Sequence, residues 1–193
     1  FKNKKMFLLI LTGLVTAFAI TNANVIPTKQ VLEEMNILPD AYNSDFKLTI
    51  RMKNISKIDP NAFTLYNQSV ALNLSLNVIT EIDQNVLKSL TKLERIDLSF
   101  NRLTTIQPNT FSNQQSLNTL MLNDNRLTSI PQLNIPSLTQ IDLSKNFLTT
   151  IPANLFSSMI RLSTINLYSN RINRLDRMIF KGLSYVSQIY LGS

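Results

Sequence analysis

The stretch LERIDLSFNRL at residues 93–103 returns 24 residues later as LNTLMLNDNRL at residues 117–127. Aligned, the two pair Leu93 with Leu117, Ile96 with Leu120, Leu98 with Leu122, Asn101 with Asn125 and Leu103 with Leu127. The same frame recurs as Leu138, Ile141, Leu143, Asn146 and Leu148, then as Leu162, Ile165, Leu167, Asn170 and Ile172. An earlier copy has Leu72, Leu74, Asn77 and Ile79, with Ser69 in the first slot. The earliest has Leu48, Ile50 and Ile55, with Lys53 where the Asn falls elsewhere, and Val186, Ile189 and Leu191 open a seventh. The Asn slots stand at 53, 77, 101, 125, 146 and 170, a period of 24 with one interval of 21. A fixed period of this size marks a stack of like units.

Elementary geometry accounts for the frame. In Leu-x-Leu the two leucines share one face of a strand because side chains alternate. A single coil cannot bury that face, but a stack can, and each buried Leu contributes roughly 1.5–3 kcal/mol. Successive strands then form a parallel sheet at a spacing of about 4.8 Å. Beyond the strand the chain turns inward and leaves backbone groups outside the ladder. An inward Asn amide both donates and accepts, so it is expected to satisfy such groups in its own coil and the next. Asp only accepts and Lys only donates, so Lys53 marks an end coil.

A second column follows ten positions after the Asn slot: Phe63, Leu87, Phe111, Phe156 and Phe180. Three residues further on stand Tyr66, Leu90, Met159 and Leu183, with Gln114 as the exception. The coil after Asn125 is three residues short and has Pro131 and Pro136 but no Phe, which predicts an extended return path. From Asp45 to Ser193 the chain resembles the leucine-rich-repeat family, whose pattern is LxxLxLxxNxL. The FxxLxxL half and the 24-residue period resemble its extracellular class, which includes Toll-type receptor ectodomains, Slit-like proteins and small leucine-rich proteoglycans. The resemblance implies an α/β-type repeat solenoid: a leucine-rich-repeat horseshoe with a parallel concave sheet and an irregular or short-helical convex side.

The ends read differently from the middle. FKNKK and the apolar run from Met6 to Ile20 form a basic leader and a core too short for an ordinary membrane span. Residues 1–23 are therefore expected to be a signal peptide cleaved after Ala23, with Ala17 and Ala19 as an earlier site and an uncleaved anchor as the alternative. Residues 24–44 are expected to form an amino-terminal cap, with Val31, Leu32, Met35 and Leu38 at helical spacing ahead of Pro39. Residues 45–193 form the solenoid, six coils plus a seventh that stops just before its Asn slot, which reads as a truncated chain. The family's cysteine-rich end caps are missing.

Composition removes several functions. The chain has no Cys and no His, so thiolate nucleophiles, disulfides, the common zinc ligands and the usual neutral-pH base are all excluded. The motifs GxSxG, GxxxxGK and GxGxxG do not occur. Asp97 and Asp142 share a strand slot two coils apart, with Met121 between them, and read as solvated residues. No catalytic residue, metal or cofactor is assigned, and the chain is read as a non-enzyme. The formal charge of +7 falls to +4 without Lys2, Lys4 and Lys5. What remains forms no run of Lys and Arg of the kind that nucleic acids need. Arg102, Arg126 and Arg171 each follow an Asn slot in a column that Phe147 interrupts, and the column reads as a solvated edge.

The outward strand positions are the expected binding surface, since solenoids bind on an extended concave face. The central slot holds Thr49, Asn73, Asp97, Met121, Asp142, Asn166 and Tyr190. Candidate ligand-binding residues are Arg95, Asp97, Met121, Asn123, Asp142, Asn166, Tyr168 and Tyr190. The structural ladder is Asn77, Asn101, Asn125, Asn146 and Asn170. Asn54, Asn67 and Asn73 lie in N-glycosylation triplets, but about four such triplets are expected by chance in this composition, so they decide little. The reading is a secreted or cell-surface module that binds a protein, or alternatively a glycan, and not a nucleic acid. A fragment of a Toll-type transmembrane receptor ectodomain and a structural matrix or adhesion protein remain open. An enzyme that carries the solenoid as a substrate arm would need a domain beyond Ser193.

Overall fold

A computed structural model describes residues 25–26 and 46–192. The expected signal peptide and the expected helix between residues 28 and 43 lie outside them. Among the described residues there are nine strands: β1 Val25–Ile26, β2 Lys47–Thr49, β3 Lys57–Ile58, β4 Ala71–Asn73, β5 Arg95–Asp97, β6 Thr119–Met121, β7 Gln140–Asp142, β8 Thr164–Asn166 and β9 Gln188–Tyr190. Seven form one parallel sheet in the order β2-β4-β5-β6-β7-β8-β9, one strand per coil. β1 pairs with β3 in a separate two-stranded parallel sheet beside the first coil. The register is constant, so Leu48, Leu72, Ile96, Leu120, Ile141, Ile165 and Ile189 form one column. The first six are buried and Ile189, at the end of the stack, is 38% exposed.

The expected sheet of stacked coils is therefore present, and its other side is irregular. No described residue is helical. Single turns with N–H to carbonyl bonds three residues back carry the chain across, as from Tyr66 to Phe63 and from Met159 to Phe156. Phe63, Phe111 and Phe156 are buried there, and the rings of Phe156 and Phe180 stack with centroids 6.1 Å apart. The short coil, which has no Phe, buries Leu133 and Ile135 instead, both 1% exposed. Gln114 is buried among these apolar side chains and its amide donates to the Leu87 carbonyl at 2.7 Å.

One conformation repeats in each of the six coils that hold an Asn slot. The residue before each Asn slot has a left-handed backbone: Met52, Leu76, Phe100, Asp124, Lys145 and Ser169, with φ between 52° and 58°. None is glycine, so each carries a cost of roughly 1–2 kcal/mol. The cause lies in the backbone bonding on either side. Before this residue the N–H groups point to the following coil, as Leu98 N–H does to the Met121 carbonyl at 2.9 Å and Phe100 N–H to the Asn123 carbonyl at 3.0 Å. After it they point to the preceding coil, as Arg102 N–H does to the Ile79 carbonyl at 2.9 Å. A single left-handed residue reverses the direction of the peptides.

The ladder asparagines sit at this reversal. Asn101 Nδ2 donates to the carbonyls of Leu74 at 3.0 Å and Leu98 at 3.1 Å, and its Oδ1 accepts from Ile79 N–H at 3.0 Å. Asn77, Asn125, Asn146 and Asn170 repeat the pattern. This corrects the expected direction: each Asn serves its own coil and the one before it, not the one after. The reason is the reversal itself, because the groups left over by the turn face backwards. Lys53, in the first slot, is exposed, and its N–H is held by Asn77 Oδ1 at 3.0 Å.

Candidate binding face

Three columns of side chains leave the sheet on its open side. The central column starts at Thr49 and ends at Tyr190. A second holds Lys47, Ala71, Arg95, Thr119, Gln140, Thr164 and Gln188, in register with it. The third lies two residues after the central slot: Arg51, Ser75, Ser99, Asn123, Ser144, Tyr168 and Gly192. Strand spacing fixes the rungs about 4.8 Å apart, so the face is extended and shallow. Among the described residues no group of three His, Cys, Asp or Glu side chains is placed to hold a metal.

The polar members of the central column do structural work. Asp97 Oδ1 accepts from Ser99 N–H at 3.0 Å and from Ser99 Oγ at 2.6 Å, and Asp142 does the same to Ser144 at 2.8 and 2.6 Å. Asn73 and Asn166 accept from the N–H two residues on, at Ser75 and Tyr168. Each closes its strand with a side-chain turn of the type Asx residues favour. The expectation that Asp97 and Asp142 are merely solvated is corrected accordingly. Met121 has no polar atom for this role, and β6 ends without such a cap. Asp142 Oδ2 also accepts from Asn166 Nδ2 at 3.0 Å, which ties β7 to β8 across the face.

The other candidates divide into open and occupied side chains. Arg95, Tyr168 and Tyr190 are exposed, the tyrosines by 46% and 47%. Tyr190 stands opposite Asn166, and Tyr168 lies beside Gly192, where an added Cβ would sit 3.1 Å from the ring. The two rings thus occupy neighbouring columns on neighbouring rungs. Met121 is half-buried. Asn123, expected to be open to a ligand, is half-buried as well. Its Nδ2 donates to Asp124 Oδ2 at 2.9 Å while its buried Oδ1 finds no protein partner. Of the glycosylation triplets, Asn54 and Asn67 are exposed, whereas Asn73 lies half-buried on the sheet face.

Beside this face runs a flank that chain order conceals. Arg102, Arg126, Phe147 and Arg171 are all exposed and follow successive ladder asparagines. Their N–H groups bond to Ile79, Leu103, Leu127 and Leu148 of the preceding coil at 2.8–2.9 Å, a second backbone ladder parallel to the sheet. The Arg171 guanidinium lies 4.5 Å from the centroid of the Phe147 ring, so Phe147 continues the column rather than interrupting it. The arginines stand 24 and 45 residues apart in sequence, and only the stack makes them neighbours.

Comparison with known proteins agrees with this architecture. The leucine-rich-repeat family model matches residues 47–103, 91–133 and 136–193. Among solved structures the chain is similar to one from the Toll–Spatzle complex of Drosophila, at 26% identity and a TM-score of 0.71, over 75% of this chain and 20% of that one. The glycosylated form of that complex gives 25% and 0.69, over 73% and 19%. A chain of the TLR13–ssRNA13 complex shares the fold at 21% identity and a TM-score of 0.65, over 77% and 22%. The chain thus spans about a fifth of the length of these structures. No curated protein matches it. With the repeat model matching most of its length, the chain belongs to the leucine-rich-repeat family.

Proposed function

We propose that this chain is an extracellular recognition module that binds a protein through the open face of its sheet and catalyses no reaction. The observation that carries the reading is the pair Tyr168 and Tyr190. Both are large, half-exposed aromatics on a face whose polar neighbours are already hydrogen-bonded, and tyrosine is a frequent interface anchor with an apolar body and a polar tip. Similarity to a chain from the Toll–Spatzle complex supports a protein ligand, as part of a larger receptor or as a free secreted chain. The leader up to Ala23 supports export, and no described helix is long and apolar enough to cross a membrane.

The test expresses the chain from Met6 in a secretory cell, with a photo-crosslinking phenylalanine at position 190 or, for comparison, at Leu65 on the other side. The protein in the medium should begin after Ala23 by mass, and irradiation should attach a partner at position 190 but not at position 65. Tyr168→Ala with Tyr190→Ala should then weaken binding of that partner by more than about 2 kcal/mol, while Lys47→Ala with Arg51→Ala should change little. Retention in the cytosol, or equal crosslinking from both faces, contradicts the proposal.

A further inference from the structure

The described solenoid carries 15 Lys and Arg against 8 Asp and Glu, and the imbalance is concentrated. From residue 125 to residue 192 there are seven basic residues, Arg126, Lys145, Arg161, Arg171, Arg174, Arg177 and Lys181, but only two acids. Both acids are engaged, Asp142 with Ser144 and Asn166, and Asp176 with Met178 N–H at 2.7 Å. On the flank itself Asp124 is matched by Lys145 at 3.5 Å. Among the described residues no ion pair reaches Arg102, Arg126, Arg171 or Arg174.

We propose that the column Arg102–Arg126–Phe147–Arg171 is a second binding surface, distinct from the sheet face, and that its ligand is a sulfated polysaccharide. Three features select that class. First, the backbones of these residues are pinned rung to rung by the second ladder, so the guanidiniums form a row of fixed origin at coil spacing. Such a row suits a linear polyanion rather than a single small anion, and each planar guanidinium can meet a sulfate with two parallel hydrogen bonds. Second, Thr104, Thr128, Thr149 and Asn173 stand two residues after the column members, all exposed. They add neutral hydroxyl and amide groups that suit sugar hydroxyls. Third, the column offers little for a nucleobase to stack on, because its one aromatic ring, Phe147, already carries the Arg171 guanidinium. Attraction between this row and a sulfated chain is electrostatic and weakens with salt.

The purified full chain is titrated with a heparin oligosaccharide in about 0.15 M NaCl, near physiological ionic strength. Arg102→Gln with Arg126→Gln and Arg171→Gln should weaken the apparent Kd by at least about tenfold, the loss of three charge-assisted contacts. Lys88→Gln with Lys92→Gln and Arg161→Gln removes the same charge elsewhere and should weaken it by less than about threefold. Desulfated heparin should not bind, and all variants should keep the parent circular dichroism spectrum. Absence of heparin binding, equal losses in the two triple variants, or tighter binding of a single-stranded RNA would each overturn the proposal. The inference depends on the extracellular reading only for access to such chains, and Tyr168→Ala with Tyr190→Ala separates the two. That variant should keep its heparin affinity, and a loss there would place the polyanion on the sheet face and refute the flank.

Discussion

At the scale of single residues the stack rests on one amide per coil. Asn125 holds Leu98, Leu122 and Leu103 through a single short-stemmed amide, which donates to two of their carbonyls and accepts from one N–H. Asn125→Leu preserves bulk but orphans those buried groups, each worth about 1–3 kcal/mol. Stability should fall by at least about 3 kcal/mol in urea denaturation, whereas Asn113→Leu on the exposed far side should stay within about 0.5 kcal/mol. Equal midpoints for the two would remove Asn125 from the ladder. These asparagines were legible in the sequence because only one residue type fits their role. The left-handed residues beside them were not. Met52, Leu76, Phe100, Asp124, Lys145 and Ser169 share no chemistry, and the backbone imposes the conformation from both sides.

At the scale of the strand, three residues are too few to define an end by themselves, and a side chain does it. Asp97 closes β5 by accepting from both the N–H and the hydroxyl of Ser99. Asp97→Ala should cost about 1–2 kcal/mol, and Asp97→Asn, which keeps an acceptor oxygen, should recover at least half of that. Thermal denaturation of the two variants decides it. If they melt together, the carboxylate oxygen is not what closes the strand. Strand positions and their inward faces followed from the Leu-x-Leu frame. The caps did not, because Asp and Asn in an outward slot read equally well as solvated side chains. The short coil shows a similar limit. Pro131 and Pro136 announced an altered path, but Leu133 and Ile135 as replacements for Phe depended on contacts with neighbouring coils.

At the scale of the whole molecule each coil touches only its neighbours, so protection should be graded along the stack. β6 has three strands of the sheet on either side, whereas every residue of β9 is exposed to some degree and Leu191 is 49% exposed. Amide exchange should give opening free energies at Thr119–Met121 at least about 2 kcal/mol above those at Gln188–Tyr190, and uniform protection would show a single cooperative unit instead. The period announced this architecture from the outset, but the arginine flank is a property of the assembled stack and was invisible in chain order. The backward reach of the ladder asparagines has one more consequence, which concerns inheritance. Since each coil is completed by its successor, the array has a polarity. A substitution in one slot wounds the coil upstream, and the leading slot, with no coil behind it in the sheet among the described residues, is free to vary, as Lys53 does. A gene that lengthens such an array by duplicating an interior block inserts a unit already fitted at both joints, and one that copies the leading block inserts a gap.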